Sequence, residues 1–401
     1  MTRIRFFALL SCCTFGSTFA SAGVIQVDVD FPGGSAKVES IDQEKRVVTL
    51  SPTPHQGKGF VCWWYARISG LQTGETLTLD VGNAPWATPD QAVFSHDNQS
   101  WQQTKPGVRT GKRIRYEIKV PAAEIWIAWG APFLLEHAQK AADLAAKHPY
   151  VEAVELCQTR GGNPTPALVI TEAPESPERI GIWIQARQHA WESGSSWVCN
   201  GFVKWVVSDD PAAQKLRKKA LITVVPIMDV DNVQIGAGGK NQKPQDHNRD
   251  WSDEPHWKAV ATAQVAIRDQ DKSGNFDLFV DLHNPAAGDK NPFYFIPPKD
   301  QFPPIGRQNL ETFLKTSKEQ ITGPLSFKGR AIESGPKYDR NAWMFISKNW
   351  VASHTQDHVV AVTLETAWNT PESTVSNYEQ VGRELGLTIS KYFEQDRRSQ
   401  K

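Results

Sequence analysis

The hydrophobic rhythm of the chain changes once. From about Gly23 to Gly130, short stretches alternate apolar and polar residues: VIQVDVDF, RVVTLSP, FVCWWYARISGL, ETLTLDVG and RIRYEIKVP, separated by Gly, Pro and Asn. A period of two marks strands with one buried face, and no amphipathic helix interrupts them. Residues 23–130 are therefore expected to form a β-sandwich of about seven to nine strands. Near Ala131 the pattern turns helical, in PFLLEHAQKAADLAAKHPY, and then alternates. ALVITEA, RIGIWIQA, ALITVVPIMD, FDLFVDLH and VVAVTLETA are nearly continuous apolar runs separated by helical stretches. Such runs suit central strands covered on both faces. Residues 131–398 thus predict an α/β domain, an open sheet with helices on both faces.

Composition changes this picture at the ends and in the choice of partner. MTRIRFFALLSCCTFGSTFASAG has the charged, apolar, small-residue order of a secretory leader, expected over residues 1–22. The protein is therefore expected to be exported, periplasmic or secreted. Its apolar run is too short to cross a bilayer, and no other segment is long and apolar enough to do so. Removal of the leader leaves Cys62, Cys157 and Cys199, an odd number that cannot make a full disulfide framework. Lys and Arg total 44 and so do Asp and Glu. That balance argues against nucleic acid as a partner. The fifteen tryptophans, clustered in CWWYARISG and EIWIAWG, read as aromatic-rich strands.

Open α/β sheets place their sites at the carboxyl ends of strands. There this sequence puts polar groups four times. His189 and Glu192 follow GIWIQA, and Asn248 and Arg249 follow ITVVPIMD by way of the long loop GAGGKNQKPQDHNRDWSDEP. His283 ends FDLFVDL, and Glu365 ends VVAVTL. Two close ligands and one remote one, with a position left for water, are a common arrangement for hydrolytic zinc. His354 and His358 in SHTQDH have helical i, i+4 spacing. They lack the Glu of an HExxH motif and precede an apolar strand, so they read as loop histidines. There is no P-loop and no GxSxG elbow.

The ordered set HAWE, DHNRDW, DLH and TLETA resembles the zinc metallocarboxypeptidases, in particular the cytosolic carboxypeptidase branch. CWWYARISGLQTGETLTLDV with AVFSHDNQSWQQT is similar to the β-sandwich that precedes the catalytic domain in that branch, and WGAPFLLEHAQKAADL to its connecting segment. The resemblance implies a mixed open sheet behind a β-sandwich. It implies one zinc ion per chain held by His189, Glu192 and His283, with Glu365 as the catalytic carboxylate. Asp246 matches the carboxylate that orients the first histidine, and Asn248 and Arg249 match the pair that holds a substrate's C-terminal carboxylate. The expected partners are peptide or protein C-termini. Three departures stand out. Ala190 and Trp191 occupy the place of the branch's Pro-Gly. Gly239, with Lys240 beside it, falls where the family keeps a carbonyl-polarising arginine. The family's tyrosine has no matching position: Tyr338 lies nearby, an ungapped count back from Glu365 lands on Trp343, and the role stays unassigned. The first expectation is an exported zinc carboxypeptidase. A peptidoglycan stem-peptide peptidase or amidase of the same fold, and a non-catalytic peptide-binding relative, are the alternatives. Side-chain preference, oligomeric state and the task of the sandwich stay open.

Overall fold

The computed structural model describes residues 23–394 apart from positions 83, 85 and 302, so the leader expected over residues 1–22 lies outside the described residues. The N-terminal part is two five-stranded sheets. One runs in the order Gln26–Asp28, Tyr65–Ser69, Glu124–Ala128, Val93–Ser95, Gln102–Gln103. The other runs Lys37–Asp42, Val47–Ser51, Thr76–Val81, Arg113–Lys119, Val108–Thr110. Alternation is the cause: in Arg113–Lys119, Ile114, Tyr116 and Ile118 are buried while Arg115, Glu117 and Lys119 face out. Ten strands form among the described residues, more than the seven to nine expected. The surplus comes from two- and three-residue strands, such as Gln102–Gln103 and Val93–Ser95, too short to carry a period.

The larger part is one mixed eight-stranded sheet. Its order is Val151–Gln158, Pro164–Ile170, Ala220–Val225, Ile180–Ala186, Leu278–His283, Val360–Glu365, Phe293–Ile296, Ala331–Glu333. The middle four strands are mutually parallel, and antiparallel pairs flank them. Their apolar runs are continuous because both faces are covered. Ile182, Ile184, Val280, Leu282, Val362 and Leu364 pack under the helices Ser193–Val206, Pro304–Gln320 and Val375–Tyr392. On the other side Trp183, Phe279 and Ala361 meet Lys258–Lys272 and Ser347–His354. Full burial of each such aliphatic chain contributes roughly 1.5–3 kcal/mol.

The chain leaves Ile180–Ala186 toward one edge, to Ala220–Val225, and later returns to the other side, to Leu278–His283. Between these strands lies the topological switch point, where the connections diverge and leave a crevice at the carboxyl ends. The sandwich packs beside it. Its apolar core runs on through Phe133 and Leu134 into Ala190, Trp191, Ile227 and Trp368. The Trp191 ring lies 5.2 Å from Trp129 and 5.8 Å from Trp368. Its indole therefore joins the two parts of the molecule.

Candidate metal and substrate site

The site begins at the switch point. After Ile180–Ala186 the chain turns through Arg187, at φ 65°. The buried guanidinium donates to Ala190 O, Phe133 O and Ser196 Oγ, which pins the turn. His189 lies in that turn, and Glu192 precedes the helix Ser193–Val206. His283 is the last residue of the neighbouring strand. All three side chains are buried. His189 Nδ1 lies 2.8 Å from Glu192 Oε1, and His283 Nδ1 lies 2.8 Å from Glu192 Oε2. Donor atoms of the three residues fall within 4.8 Å of one another.

Two imidazole nitrogens and a carboxylate are the donor types that zinc takes. The outward nitrogens fit the same purpose, because a ligating histidine usually gives its other N–H to a carboxylate. His283 Nε2 is 2.9 Å from Asp281 Oδ2. His189 Nε2 is 3.5 Å from Asp246 Oδ1 and makes no hydrogen bond among the described residues. Burial would lower the pKa of His283, but Asp281 and Glu192 outweigh it and hold the ring well above its ordinary value. Burial would raise Glu192, and the two histidines hold it below the carboxylate range instead. A cation bound among them takes the place of those protons.

Glu365 ends its strand directly opposite His283 in the parallel register. Adjacent strands lie about 4.8 Å apart, so both side chains meet the crevice. Burial pushes its pKa up to about 7, with Glu192 adding to the rise and His283 and Lys240 opposing it. Its Oε2 has no hydrogen-bond partner among the described residues.

The long loop supplies the rest. Asp246, Asn248 and Arg249 cluster at a short turn, His247–Arg249. Arg249 donates through Nε to Asp339 at 3.2 Å and through Nη1 to Asn248 O at 3.0 Å. The Asn248 amide is turned inward: Oδ1 accepts from Ser347 N, and Nδ2 lies 3.4 Å from His283 Nε2. Gly239 has φ +79°, and a Cβ there would fall 2.6 Å from Asp229 Oδ2 and 2.7 Å from Ala190 N. That position has no room for a side chain. Lys240 stands next to it, and its charge lowers the pKa of both Asp246 and Glu365. Tyr338 is exposed, 5.1 Å from the Phe295 ring, and adjoins the Asp339 that pairs with Arg249. Trp343 belongs to the short turn Trp343–Phe345. His354 stacks on Trp350, and His358 faces Asp277. Both lie at the amino-terminal end of Val360–Glu365, roughly 20 Å of strand away from Glu365.

Two residues escaped sequence reasoning. Asp281 sits two positions before His283, and the period of a strand puts both on one face. That D-x-H spacing was a usable signal. Lys348, in the first turn of Ser347–His354, is fully buried with its Nζ 5.8 Å from the Phe295 ring centroid. Burial and the Arg249 charge pull its pKa down to about 7, against Asp281 and Glu365. Nothing in ISKNW distinguishes it from a solvated helix lysine.

Two family models match the chain. One, described as zinc carboxypeptidase, covers residues 138–276. The other, described as cytosolic carboxypeptidase N-terminal domain, covers 27–129. An uncharacterized protein of Zymomonas mobilis is 29% identical over 273 residues, 66% of this chain and 68% of that protein. Human cytosolic carboxypeptidase 4 is 30% identical over 253 residues, 50% of this chain, and the match spans only 22% of that relative. A metallo-carboxypeptidase from Burkholderia cenocepacia superposes with a TM-score of 0.78 at 22% identity, covering 92% of this chain and 99% of that one. A metallo-carboxypeptidase from Pseudomonas aeruginosa, solved in complex with (2-guanidinoethylmercapto)succinic acid, gives 0.76 at 20% identity over the same shares. At those identities the two structures establish a shared fold.

Proposed function

Since the chain belongs to the zinc carboxypeptidase family, with the N-terminal domain of its cytosolic branch, we propose that it is an exported metallocarboxypeptidase that removes acidic residues from peptide C-termini. The observation that carries the reading is the convergence of His189, Glu192 and His283 beside the buried carboxylate of Glu365. One zinc per chain is held by the first three, and when bound it supplies a Lewis acid that acidifies water and polarises a carbonyl. Glu365 takes a proton from the attacking water and returns it to the leaving amine. Lys240 offers a positive charge to the carbonyl oxygen from beside Gly239, as a point charge rather than a fork. Arg249 receives the terminal carboxylate; its planar group suits that partner. Asp339 takes Nε and Asn248 O takes one proton of Nη1, and the remaining N–H groups of the guanidinium are the ones offered to the carboxylate.

Lys348 supports the acidic preference. A buried ammonium is costly unless an anion accompanies it, and this one stands near Arg249. Two neighbouring cations suit a terminal residue that carries two carboxylates. The leader-like N-terminus supports export. The test is a peptide library with varied C-termini, digested by the zinc-loaded protein and by Lys348→Met. Wild type should favour C-terminal Glu or Asp, and the variant should lose roughly ten- to a hundredfold in kcat/KM on those peptides alone. Equal cleavage of acidic, apolar and basic C-termini by wild type would overturn the preference. No cleavage of any peptide would overturn the carboxypeptidase reading itself.

A further inference from the structure

We propose that Asp281 is a positioning residue that fixes His283 in one ring orientation and couples it to the elements that hold the substrate. The inference rests on the metal reading above and concerns a carboxylate that reading does not use.

Asp281 is fully buried in the centre of the sheet. It accepts hydrogen bonds from Gln188 Nε2 at 2.5 Å, Ser347 Oγ at 2.7 Å, His283 Nε2 at 2.9 Å and Gln185 Nε2 at 3.4 Å. The two amides have no freedom to turn round. Trp183 Nε1 donates to Gln185 Oε1 at 2.9 Å, and Trp251 Nε1 donates to Gln188 Oε1 at 2.8 Å. An indole N–H can only donate, so each amide must give its oxygen to a tryptophan and its NH2 to Asp281. Surrounded by donors, Asp281 can only accept, and His283 must therefore present N–H at Nε2. This leaves the Nδ1 lone pair for the side where Glu192 stands. The tautomer of His283 is thus set by two tryptophans, through two glutamines and one aspartate.

The same carboxylate reaches the substrate side. Ser347 gives its hydroxyl to Asp281 and its backbone N–H to Asn248 Oδ1, which leaves the Asn248 amide nitrogen 3.4 Å from His283 Nε2 as a packing neighbour, since both nitrogens carry protons. Ser347 opens the helix whose next residue is Lys348, and Asn248 precedes Arg249. Asp281 thus joins a metal ligand to both cations proposed to grip the terminal residue. His189 has no equivalent, because its Asp246 comes from a loop and stands at 3.5 Å.

The test compares Asp281→Asn with Ser347→Ala in the full chain. Asp281→Asn puts a donor against donors, and zinc affinity, read by competition with a chromophoric chelator, should fall about ten- to a hundredfold. Ser347→Ala leaves the His283 contact in place, so its affinity should stay within about threefold while KM for acidic peptides rises and kcat holds. Unchanged zinc affinity in a folded Asp281→Asn would overturn the proposal, and so would equal losses in both variants. Should Asp281→Asn not fold, 15N-histidine spectra of zinc-loaded wild type decide: Nε2 protonated and Nδ1 metallated is expected, and the reverse overturns it. A wild type that binds no zinc refutes the metal reading first, and this inference with it.

Discussion

His283 and His189 face the same Glu192 carboxylate, yet what stands behind each ring differs. Behind His283 is the sheet. Its partner Asp281 is on the same strand, and Glu365 is its register neighbour on the next. Every spacing there is set by backbone hydrogen bonds of central parallel strands. Behind His189 is a loop, residues 236–255, that carries Lys240, Asp246, Asn248 and Arg249. This loop takes its order from the sandwich. Gly239 N donates to Lys58 O at 2.8 Å, Phe60 N to Lys240 O at 2.9 Å, and Lys243 N to Gly57 O at 2.8 Å. The N-terminal part thus holds this loop through backbone hydrogen bonds. The groups proposed for bond-breaking thus sit on the self-sufficient side, and those proposed for substrate binding on the side that depends on another domain. Binding groups gain from standing on loops that a rigid scaffold holds.

The sharpest way to probe the strand side is Glu365→Gln. The change is nearly isosteric, so zinc content should stay at wild type while kcat falls by about a thousandfold or more. Near-normal turnover would reduce Glu365 to a strand-end carboxylate. A second readout follows from its pKa of about 7, raised from 4.5. A folded-state carboxyl raised in this way binds a proton that the unfolded chain has already lost, so it weakens the metal-free fold as pH rises from 4.5 through 7. Metal-free Glu365→Gln should therefore melt higher than metal-free wild type above pH 7, and the gap should close toward pH 4. Catalysis has the opposite sign. It needs the ionised carboxylate, so kcat/KM should fall on acidification, with the limb below pH 7 once zinc adds its positive charge.

The loop side is tested from the substrate. Converting a peptide's terminal carboxylate to an amide removes the anion meant for Arg249. Charge-assisted hydrogen bonds are worth about 1.5–3 kcal/mol each, so cleavage should drop by about a hundredfold in kcat/KM. Equal cutting of free and amidated peptides would remove the carboxylate-binding role from Arg249. It would leave the strand side untouched, since Glu365 and the histidines make no demand on that end.

The same division explains what the sequence made legible. His189, His283 and Glu365 could be placed at the sheet edge because each ends or follows an apolar run that forms a central strand. The two-domain order was visible in the change of period. The loop side was poorly legible because its geometry depends on distant contacts. That Gly239 lacks room for any side chain follows from Asp229 and Ala190, which no local pattern announces. Trp191, beside the ligands in HAWE, carries no local sign that its ring belongs to the aromatic junction with Trp129 and Trp368. Lys348 was hidden because a lysine at a helix start is ordinarily solvated, and only tertiary packing buries it.

The smallest effects test the dependence on the sandwich itself. Lys240→Ala should lower kcat by about tenfold with zinc intact, less than the loss typical of an oxyanion donor because a flexible point charge is a weaker one. Gly59→Ala reaches the same lysine from the other domain. Gly59 has φ +86°, and a Cβ there would lie 2.3 Å from Lys240 O. An alanine must therefore push the loop backbone away and adopt a strained conformation, at a cost of about 1–3 kcal/mol. Part of that cost appears as lost stability. The remainder displaces Lys240 without removing it, so kcat should fall by about two- to fivefold, again with full zinc. The two changes act through one group, and in the double variant the Gly59→Ala loss should vanish. Additive losses would mean that the sandwich acts on the site by a route other than Lys240. No loss in Gly59→Ala, alongside a lowered melting temperature, would mean that the sandwich stabilises the catalytic domain and contributes nothing to its chemistry.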